Sequence, residues 1–428
     1  MTLVAVLLGA IFGLMLLGIP IGFAILAGGT LTIATMMPHA NLVIVPQQVF
    51  IGIDSFSLLA IPCFLLAGAL MSAGGITTRL LDLANAILGR FRGGLAMSNV
   101  LSATVFAGIS GSAVADTSAL GRILVPAMIK AGYRPGFAAA LTASANVLAP
   151  IIPPSIAFIV VGVLTSQSIT RLFIAGIVIG LIYSAALIAV IAWMARSHDF
   201  PVYGKTPLAE IGRSFVRALA AILMPVLIIG GIRTGIFNVT EVAAVTVLYA
   251  LFVGFVIYRE LTWRKVYDSL VSSAHITAII MVIVGAARIF SWVLGYTGLP
   301  DQIAAFLLSV TDNPLLFLLL INILMLIVGM FVEANAALIM LLPVLYPVAL
   351  QLGIDPLHFS VVVVVNLCIG LITPPVGLTL NLSSLMAGIR MEEGVRYIWP
   401  FLISGLLVLA LLTYVPGLAT WLPNMLMN

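Results

Sequence analysis

Residues 145–155 read ANVLAPIIPPS, and this stretch decides the fold because it places three prolines inside a segment apolar enough to lie in lipid. Proline lacks a backbone N–H and crowds the carbonyl group one turn earlier, so a spanning helix cannot run through the stretch unbroken. Carbonyl groups freed at membrane depth are tolerated only where they are buried in protein or face a polar cavity. The stretch therefore predicts a broken helix with a polar site at its break.

A second Pro-Pro pair occurs in LITPPVG, residues 371–377, and lies 221 residues after the first. The same shift, without a gap, aligns further identical residues upstream of both pairs. The aligned residues are Gly108 with Gly329, Ala113 with Ala334, Ala115 with Ala336, Pro126 with Pro347, Gly132 with Gly353, Pro135 with Pro356, Pro153 with Pro374 and Pro154 with Pro375. The chain therefore contains a duplicated unit.

Composition places the chain in the membrane. Hydrophobic residues make up 63% and charged residues 7% of the 428 residues, and the mean hydropathy is +1.28. An aqueous globular protein has about a quarter charged residues. The apolar runs are long and continuous, whereas strands of a membrane β-barrel alternate apolar and polar residues. We expect an all-α polytopic membrane protein, with no nucleic-acid partner.

Two glycine-rich segments predict re-entrant helical hairpins. The first, GISGS at residues 108–112, separates two apolar pieces, and the arm before it is about fifteen residues long. At about 1.5 Å per residue that arm is shorter than the hydrocarbon core of about 30 Å. Residues 314–352 form the corresponding second hairpin, with its tip at 329–335.

The chain divides into five parts around these features. Residues 1–54 contain one N-terminal span and an interfacial segment. Residues 55–165 form repeat 1, with a span, an interfacial arm, a hairpin and a broken helix, and residues 166–260 contain the central scaffold spans. Residues 261–390 form repeat 2, with an amphipathic connector at 261–271, a span at 277–295, a hairpin and a broken helix, and residues 391–428 contain the last span, at 395–422. This gives about nine to eleven spans in addition to the two hairpins, because each crossing needs about 20 apolar residues.

Basic residues orient this arrangement. If neither hairpin crosses, one side of the membrane receives Arg171 and Arg233, and the other receives all the remaining loop and interfacial basic residues. These are Arg79, Arg90, Arg92, Lys130, Arg134, Arg196, Lys205, Arg213, Arg217, Arg259, Arg264, Lys265, Arg390 and Arg396. The second side is cytoplasmic by the positive-inside rule. The spans at 55–73 and 277–295 then run in opposite directions, so the first hairpin enters from the cytoplasm and the second from outside. An inverted repeat with paired broken helices is typical of secondary transporters.

The sequence resembles a known family, the large membrane subunit of the TRAP (tripartite ATP-independent periplasmic) transporters of bacteria. Within that family, its overall pattern is close to the sialic acid members. The resemblance covers essentially the whole chain and rests on four segments in the right order. They are GISGSAVADTSALG at 108–121, NVLAPIIPPS at 146–155, GMFVEANAALIMLLPVLYP at 329–347 and GLITPPVGLTLN at 370–381.

The family resemblance implies a multi-pass protein of the bacterial inner membrane that imports a carboxylate-bearing small molecule with Na⁺. It implies two partners, a small four-helix membrane subunit and a periplasmic solute-binding protein that delivers the solute. It also implies a fold like that of the ion transporter superfamily and an elevator mechanism, in which the hairpin units move against a scaffold. ATP cannot drive transport within this chain, because no GxxxxGK[ST] motif is present.

Arg288 and Glu333 depart from the family pattern, in which a small residue and an aspartate occupy these positions. An arginine within a span costs several kcal/mol unless it faces a partner or water. It either pairs with a structural acid such as Glu333 or contacts the solute carboxylate through its planar guanidinium group. One such arginine suits a monocarboxylate, so sialic acid is the expected solute and a C4-dicarboxylate or other organic acid the alternative.

Other polar residues near the tips and breaks are candidates for binding. Na⁺ prefers several oxygen ligands, which hydroxyl groups, amides and freed carbonyl groups supply. The candidate Na⁺ ligands are Ser110, Ser112, Asn146 and Pro153 in the first repeat and Asn366, Thr373, Pro374 and Asn381 in the second, with Asn335 nearby. The candidate solute-binding residues are Arg288, Glu333, Ser112 and Ser155. Asp116 is expected to cap a helix or pair with Arg122, with a role as a direct ligand as the alternative. Any single serine or threonine can instead serve helix packing.

Two other classes of function are weighed against transport. An intramembrane enzyme is disfavoured because the sequence has neither HExxH nor a GxSxG motif flanked by a distant histidine in a span, and no aspartate pair of the protease type. The chain is therefore not expected to be an enzyme. An uncoupled channel remains an alternative, because inverted broken helices can also line a pore.

Overall fold

The computed structural model describes residues 2–37, 39–197, 200–202, 204, 206–298 and 313–427. Lys205, assigned above to the basic side, lies outside the described residues. The described residues form helices joined by short turns, and no strand occurs among them.

The described residues up to 257 form twelve α-helices. They are α1 (Thr2–Leu16), α2 (Ile21–Met36), α3 (Ile44–Ile53), α4 (Ala60–Ala73, preceded by a 3₁₀ turn at Phe56–Leu59), α5 (Ile76–Leu88), α6 (Gly94–Ser110), α7 (Ala113–Lys130), α8 (Pro135–Asn146), α9 (Ile156–Thr165), α10 (Ile169–Ser197), α11 (Leu208–Arg233) and α12 (Val239–Phe252, followed by a π-helical turn at Val253–Ile257).

The second half contains seven described helices. They are α13 (Trp263–Thr297), α14 (Pro314–Phe331), α15 (Ala334–Gln351), α16 (Pro356–Gly370), α17 (Leu378–Met386), α18 (Met391–Tyr414) and α19 (Gly417–Met427).

The duplicated unit predicted from the sequence is confirmed. Helices α6 and α7 form hairpin 1, with its turn at residues 111–112, and α14 and α15 form hairpin 2, with its turn at residues 332–333. Each hairpin is followed by a broken helix, α8 and α9 in the first unit and α16 and α17 in the second. The interruptions contain the two Pro-Pro pairs, as the missing backbone donors require.

The two units are inverted with respect to each other. Lys265 in the first turn of α13 donates a hydrogen bond from Nζ to the carbonyl oxygen of Ala73, the last residue of α4, at 3.0 Å. The two helices pack together and are therefore antiparallel. The shift of 221 residues places α4 on residues 281–294 of α13, so corresponding spans run in opposite directions, as expected.

Among the described residues, eight helices are long and apolar enough to cross a membrane. Six correspond to unbroken spans expected from the sequence, and the other two, Pro314–Phe331 and Ala334–Gln351, are the arms of hairpin 2. The broken helices do not appear among the eight because each half is short.

The N-terminal segment, for which one tilted or kinked span or a span with a re-entrant piece was expected, contains two helices rather than one. Helices α1 and α2 lie side by side, because a Cβ atom added at Gly28 would lie 2.7 Å from Cγ1 of Ile11. In one continuous helix these residues would be about 25 Å apart. The turn between the helices is made by Gly18, with a φ of +83°, followed by Pro20.

The segment after α2 was expected at an interface. Its helix, α3, packs against α13, where a Cβ atom at Gly285 would lie 3.0 Å from Cγ1 of Val49.

Two boundaries near the ends of the second unit also differ from expectation. The predicted connector 261–271 and span 277–295 are one continuous helix of 35 residues, α13. Polar residues between the predicted connector and the predicted span end the lipid-facing segment. No glycine or proline occurs in residues 263–284, so the α-helix continues through these polar residues. The last span is α18, and α19 is a separate helix after the turn at Pro416.

The helices pack in two groups. The hairpin bundle consists of both hairpins, both broken helices, α10, α18 and α19, and the framework consists of α1 to α5 and α11 to α13. Helix α10, grouped with the scaffold spans by its sequence, packs on α6, α9 and α18. The two groups meet where α4, α5 and α11 contact α6, and where α13 contacts α15.

Candidate functional site

The tip of hairpin 1 fits directly against the break in the first broken helix. Helix α6 ends at Gly111, whose φ is +69°, and Ser112 caps α7 by accepting a hydrogen bond from the N–H of Ala115 at 3.4 Å. A Cβ atom at Gly111 would overlap the carbonyl oxygen of Pro154. The glycine is therefore required both for the left-handed turn and for this close approach.

The tip of hairpin 2 has the same relationship to the second broken helix. Glu333 caps α15, because its Oε2 atom accepts hydrogen bonds from the N–H groups of Asn335 at 2.9 Å and Ala336 at 3.2 Å. The carbonyl oxygen of Met330 accepts a hydrogen bond from the N–H of Gly377, in the break, at 3.3 Å. Ser112 and Glu333, which the repeat aligns, thus have the same position in the fold.

These contacts place the hairpin tips inside the membrane. The first broken helix has 12 residues before its break and 10 after it, and the second has 15 and 9. A break flanked in this way lies within the bilayer, at a distance from both surfaces. Because each tip packs at a break, both hairpins are re-entrant, although the arms of hairpin 2 are long enough by themselves to be counted as spans.

The two tips line one cavity of about 1060 Å³. Ser110 and Ser112 contribute from hairpin 1, and Glu333 and Asn335 from hairpin 2. The wall formed by α13 presents residues at helical spacing, apolar near the tips and polar further away. The apolar residues are Ile276, Ile279, Ile280 and Ile283, and the polar residues are Lys265, Asp268, Ser269, Ser272 and Ser273.

The cavity extends from the tips toward the cytoplasmic side. Its far end is lined by Lys265, at the start of α13, and by Ser72 and Ala73, at the end of α4. The charge distribution assigns this end of both helices to the cytoplasm. The structure therefore has a cytoplasm-facing cavity.

Asp116 lies at the first tip and was underestimated by the sequence reasoning. It is fully buried, and its Oδ1 atom accepts a hydrogen bond from the Ser110 hydroxyl group. Among the described residues it neither caps a helix nor pairs with Arg122. Its Oδ2 atom is buried without a partner among the described residues. In the first turn of α7, the positive end of the helix dipole stabilises a carboxylate.

The candidate Na⁺ ligands of the first unit lie at its tip and break. Asn146 ends α8 just before the break, is 1% exposed, and has neither amide oxygen nor amide nitrogen hydrogen-bonded within the described residues. A Cβ atom at Gly108 would lie 3.6 Å from the carbonyl oxygen of Pro153, so this carbonyl group faces the tip. Buried amide atoms without partners are costly unless a ligand or water satisfies them.

The candidate ligands of the second unit are less closely grouped. Asn366 is fully buried and donates to Oδ1 of Asn322 at 2.7 Å, while its own Oδ1 atom has no partner in the described chain. The Thr373 hydroxyl group donates to the carbonyl oxygen of Ile369 at 2.8 Å, and Pro374 beside it is partly buried. Of these ligands, Asn381 is the one that is exposed.

Two predicted solute-binding residues, Ser155 and Arg288, are not among the residues that line the cavity. Ser155 caps α9, and its hydroxyl group donates to the carbonyl oxygen of Pro150 at 2.5 Å and accepts from the N–H of Phe158 at 3.1 Å. Arg288 is exposed on α13 and faces α3, because a Cβ atom at Gly52 would lie 2.9 Å from its Cβ atom. Within the described chain it forms no salt bridge with Glu333, so the expected ion pair is absent.

The cavity also contains charged residues that sequence reasoning did not select. Arg122 lines it from α7, and Asp268 lines it from α13. A signal for Arg122 was present, because Ala115, Ser118, Ala119 and Arg122 follow one helical face of the arm that begins at Ser112. Hydropathy alone could not show that this face lines the cavity.

Comparisons with known proteins agree with this architecture. A family model described as "Tripartite ATP-independent periplasmic transporter, DctM component" matches residues 8–418. The chain is 40% identical to a 2,3-diketo-L-gulonate TRAP transporter large permease of Escherichia coli, over 97% of both chains. It is 37% identical to a sialic acid TRAP transporter large permease of Vibrio cholerae, over 99% of both. It is 40% identical to a C4-dicarboxylate TRAP transporter large permease of Pseudomonas aeruginosa, over 93% of both.

Among solved structures, the crystal structure of the YdaH transporter of Alcanivorax borkumensis, which has an unusual topology, shares the fold. The TM-score is 0.64 at 16% sequence identity, and the match covers 91% of each chain. At this level of identity the likeness concerns the fold alone.

Proposed function

Because the chain belongs to the DctM component family of the tripartite ATP-independent periplasmic transporters, we propose that it imports sialic acid together with Na⁺. As a member of this family it is a multi-pass transport protein of the inner membrane. The family implies a small membrane subunit and a periplasmic binding protein as partners. We propose that the small subunit has four helices. We also propose that the binding protein delivers the solute.

One observation carries the proposal. Both hairpin tips line the same cavity, and each tip packs against the break of its own broken helix. Paired broken helices of an inverted repeat form the solute and ion sites of secondary transporters. The cavity is therefore the proposed solute site, with Ser112 and Glu333 at the two tips. The Arg288 contact with the solute carboxylate remains a prediction from the sequence, which the position of Arg288 does not support.

The choice of solute rests on the relatives and on the lining of the cavity. The relatives named above act on 2,3-diketo-L-gulonate, sialic acid and C4-dicarboxylates, and all three solutes are carboxylates. Serine hydroxyl groups are abundant around the cavity, and they suit the hydroxyl groups of a sugar acid. The serines are Ser72, Ser110, Ser112, Ser118, Ser269, Ser272 and Ser273.

A C4-dicarboxylate is the second candidate, because a relative named for it is 40% identical, compared with 37% for the relative named for sialic acid. Two carboxylates favour two cations, and Arg122 and Lys265 both line the cavity. However, Lys265 already donates to the carbonyl oxygens of Ala73 at 3.0 Å and Glu260 at 2.9 Å. The serine-rich lining therefore favours the sugar acid.

Coupling to Na⁺ is supported by the unpaired buried oxygens at the tips and breaks. Na⁺ is a hard cation and prefers oxygen ligands. In the first unit, Oδ1 of Asn146, Oδ2 of Asp116 and the Pro153 carbonyl group are candidates, with Ser110 and Ser112 beside them. In the second unit, Oδ1 of Asn366 and Oδ1 of Asn335 are buried without partners among the described residues. We propose one cation site in each unit.

The packing of the helices supports an elevator mechanism. The hairpin bundle contains both hairpins and both broken helices, so the cavity-lining tips can move together. The framework wall facing the cavity near the tips is made of isoleucines of α13, such as Ile276 and Ile280, which offer no hydrogen bonds to be broken during sliding. We propose that α10 and α18 move with the hairpins.

Transport into proteoliposomes tests this proposal. The protein is reconstituted with its small subunit, the binding protein is added outside, and uptake of labelled sialic acid is measured with Na⁺ or K⁺ as the external cation. We expect accumulation that depends on a Na⁺ gradient and on the binding protein. Equal uptake in K⁺ would refute Na⁺ coupling, and passive equilibration without accumulation would support a channel instead.

A further inference from the structure

Arg122 occupies a distinctive position on the wall of the cavity. It is exposed, and it lies on α7 in the face that also presents Ala115 and Ser118 to the cavity. Ser112, which caps the same helix, lies ten residues earlier, a rise of about 15 Å along the axis. Side chains of an α-helix lean toward its N-terminus, so the guanidinium group of Arg122 is directed toward the tip.

The guanidinium group is available for a ligand. Among the residues that the structure describes, Arg122 has no hydrogen-bond or salt-bridge partner. The other basic residue of the cavity, Lys265, is held by two backbone carbonyl groups. Five N–H donors in a planar fork match the two oxygens of a carboxylate, which an ammonium group does not.

The charges around the cavity favour such a cation for an anionic solute. Three carboxyl groups line it, those of Asp116, Asp268 and Glu333. An anionic solute entering a cavity with these groups is repelled unless a cation offsets them, and the repulsion is stronger where the surroundings exclude water. Arg122 lines the same cavity as these three carboxyl groups.

We propose that Arg122 is the carboxylate-binding residue of the cavity, and that it orients the solute with its carboxylate toward the cytoplasm and its hydroxyl groups toward the hairpin tips. The inference rests on the proposed function, in that the solute is a carboxylate. It replaces Arg288 by Arg122 as the cationic contact. Because Arg122 belongs to hairpin 1, the contact travels with the hairpin bundle.

Binding to the purified complex of the two membrane subunits tests the proposal without the selectivity of the binding protein. The probes are sialic acid and its methyl ester, which lacks the negative charge, and the readout is the dissociation constant of each in Na⁺ buffer. We expect Arg122→Gln to weaken binding of the acid at least about tenfold and to leave binding of the ester unchanged, because only the acid loses a hydrogen bond between two charged groups. Arg122→Lys should give an intermediate value for the acid.

Arg134→Gln is the matched control, because Arg134 is exposed outside the cavity and donates to the Tyr397 hydroxyl group at 3.1 Å. Its affinity for the acid should equal that of the wild type. Unchanged affinity of Arg122→Gln for the acid, or an equal loss for acid and ester, would overturn the proposal.

Failure of the proposed function gives a different result. If the wild-type complex binds no sialic acid, the same comparison is made with succinate and its dimethyl ester. Loss of succinate binding in Arg122→Gln alone would support Arg122 while replacing the solute. Absence of binding of either acid by the wild-type complex would overturn both proposals.

Discussion

Gly329 in hairpin 2 and Gly370 at the end of α16 are in direct backbone contact. A Cβ atom added at Gly370 would lie 2.6 Å from Cα and 2.7 Å from the carbonyl carbon of Gly329. The obstructing atoms belong to the backbone, so no side chain can rotate away to relieve the overlap. The contact fixes the tip of the hairpin against the break of the broken helix.

Substitution Gly370→Ala should therefore separate hairpin 2 from its broken helix. Overpacking of this kind costs about 1–3 kcal/mol of folding free energy. We expect a lower midpoint of thermal unfolding and strongly reduced Na⁺-driven uptake. Gly295→Ala is the control, because no atom lies within 4 Å of its added Cβ. Wild-type uptake and stability of Gly370→Ala would show that the contact is not maintained in the membrane.

Substitution Gly111→Ala tests the corresponding contact of hairpin 1. Alanine is disfavoured there by a φ of +69° and by overlap with the carbonyl group of Pro154. Gly353→Ala is a matched control, since its φ is +70° but no atom lies within 4 Å of the added Cβ. The control should lose only about 1 kcal/mol of stability, from the backbone conformation alone. Uptake by folded Gly111→Ala that equals uptake by the control would contradict a role for this contact.

Substitution Asn146→Ala or Ser112→Ala should weaken Na⁺ binding in the first unit. We expect each variant to need a higher Na⁺ concentration for half-maximal solute uptake, because an oxygen ligand or its support is removed. The measurement is uptake against Na⁺ concentration at fixed solute. Ser144→Ala is the control, since the Ser144 hydroxyl group is buried on the same helix as Asn146 but bonds the carbonyl group of Ala140 at 2.8 Å. A half-maximal concentration that is the same in all three variants would exclude both residues as ligands.

Substitution Arg288→Ala should leave transport intact. Its side chain faces α3 on the outside of α13 and does not line the cavity. Uptake by matched amounts of folded wild-type, Arg288→Lys and Arg288→Ala protein is the measurement, with expression recorded separately. Collapse of uptake in the alanine variant, with folding unchanged, would instead support the contact with the solute carboxylate predicted from the sequence.

The breaks and hairpin tips were predictable because glycine and proline restrict the backbone locally. Pro153 lacks a donor whatever surrounds it, and the left-handed turn at Gly111 favours glycine wherever it occurs. The repeat then supplied the second set of elements. These features need no knowledge of tertiary contacts, and the structure confirms them.

Features that depend on which surfaces meet were not predictable. The stretch Gly18-Ile19-Pro20 permits either a kink or a reversal, and only the packing of Ile11 on Gly28 decides for a reversal. Hydropathy placed Arg288 within a span but could not tell which side of the helix faces the cavity, and it gave no such information for Arg122 either. The outward position of Arg288 and the inward position of Arg122 follow from how α13 and α7 pack.

The contacts that hold each tip at its break are made by main-chain atoms, Gly111 with the Pro154 carbonyl group and Met330 with Gly377. Main-chain contacts place few demands on the side chains around them. Substitutions that alter the cavity lining can therefore accumulate during evolution without disturbing the frame that carries the tips. Relatives named for solutes as different as a diketo sugar acid and C4-dicarboxylates are consistent with such divergence. A change of solute should accordingly be achievable by replacing cavity side chains alone.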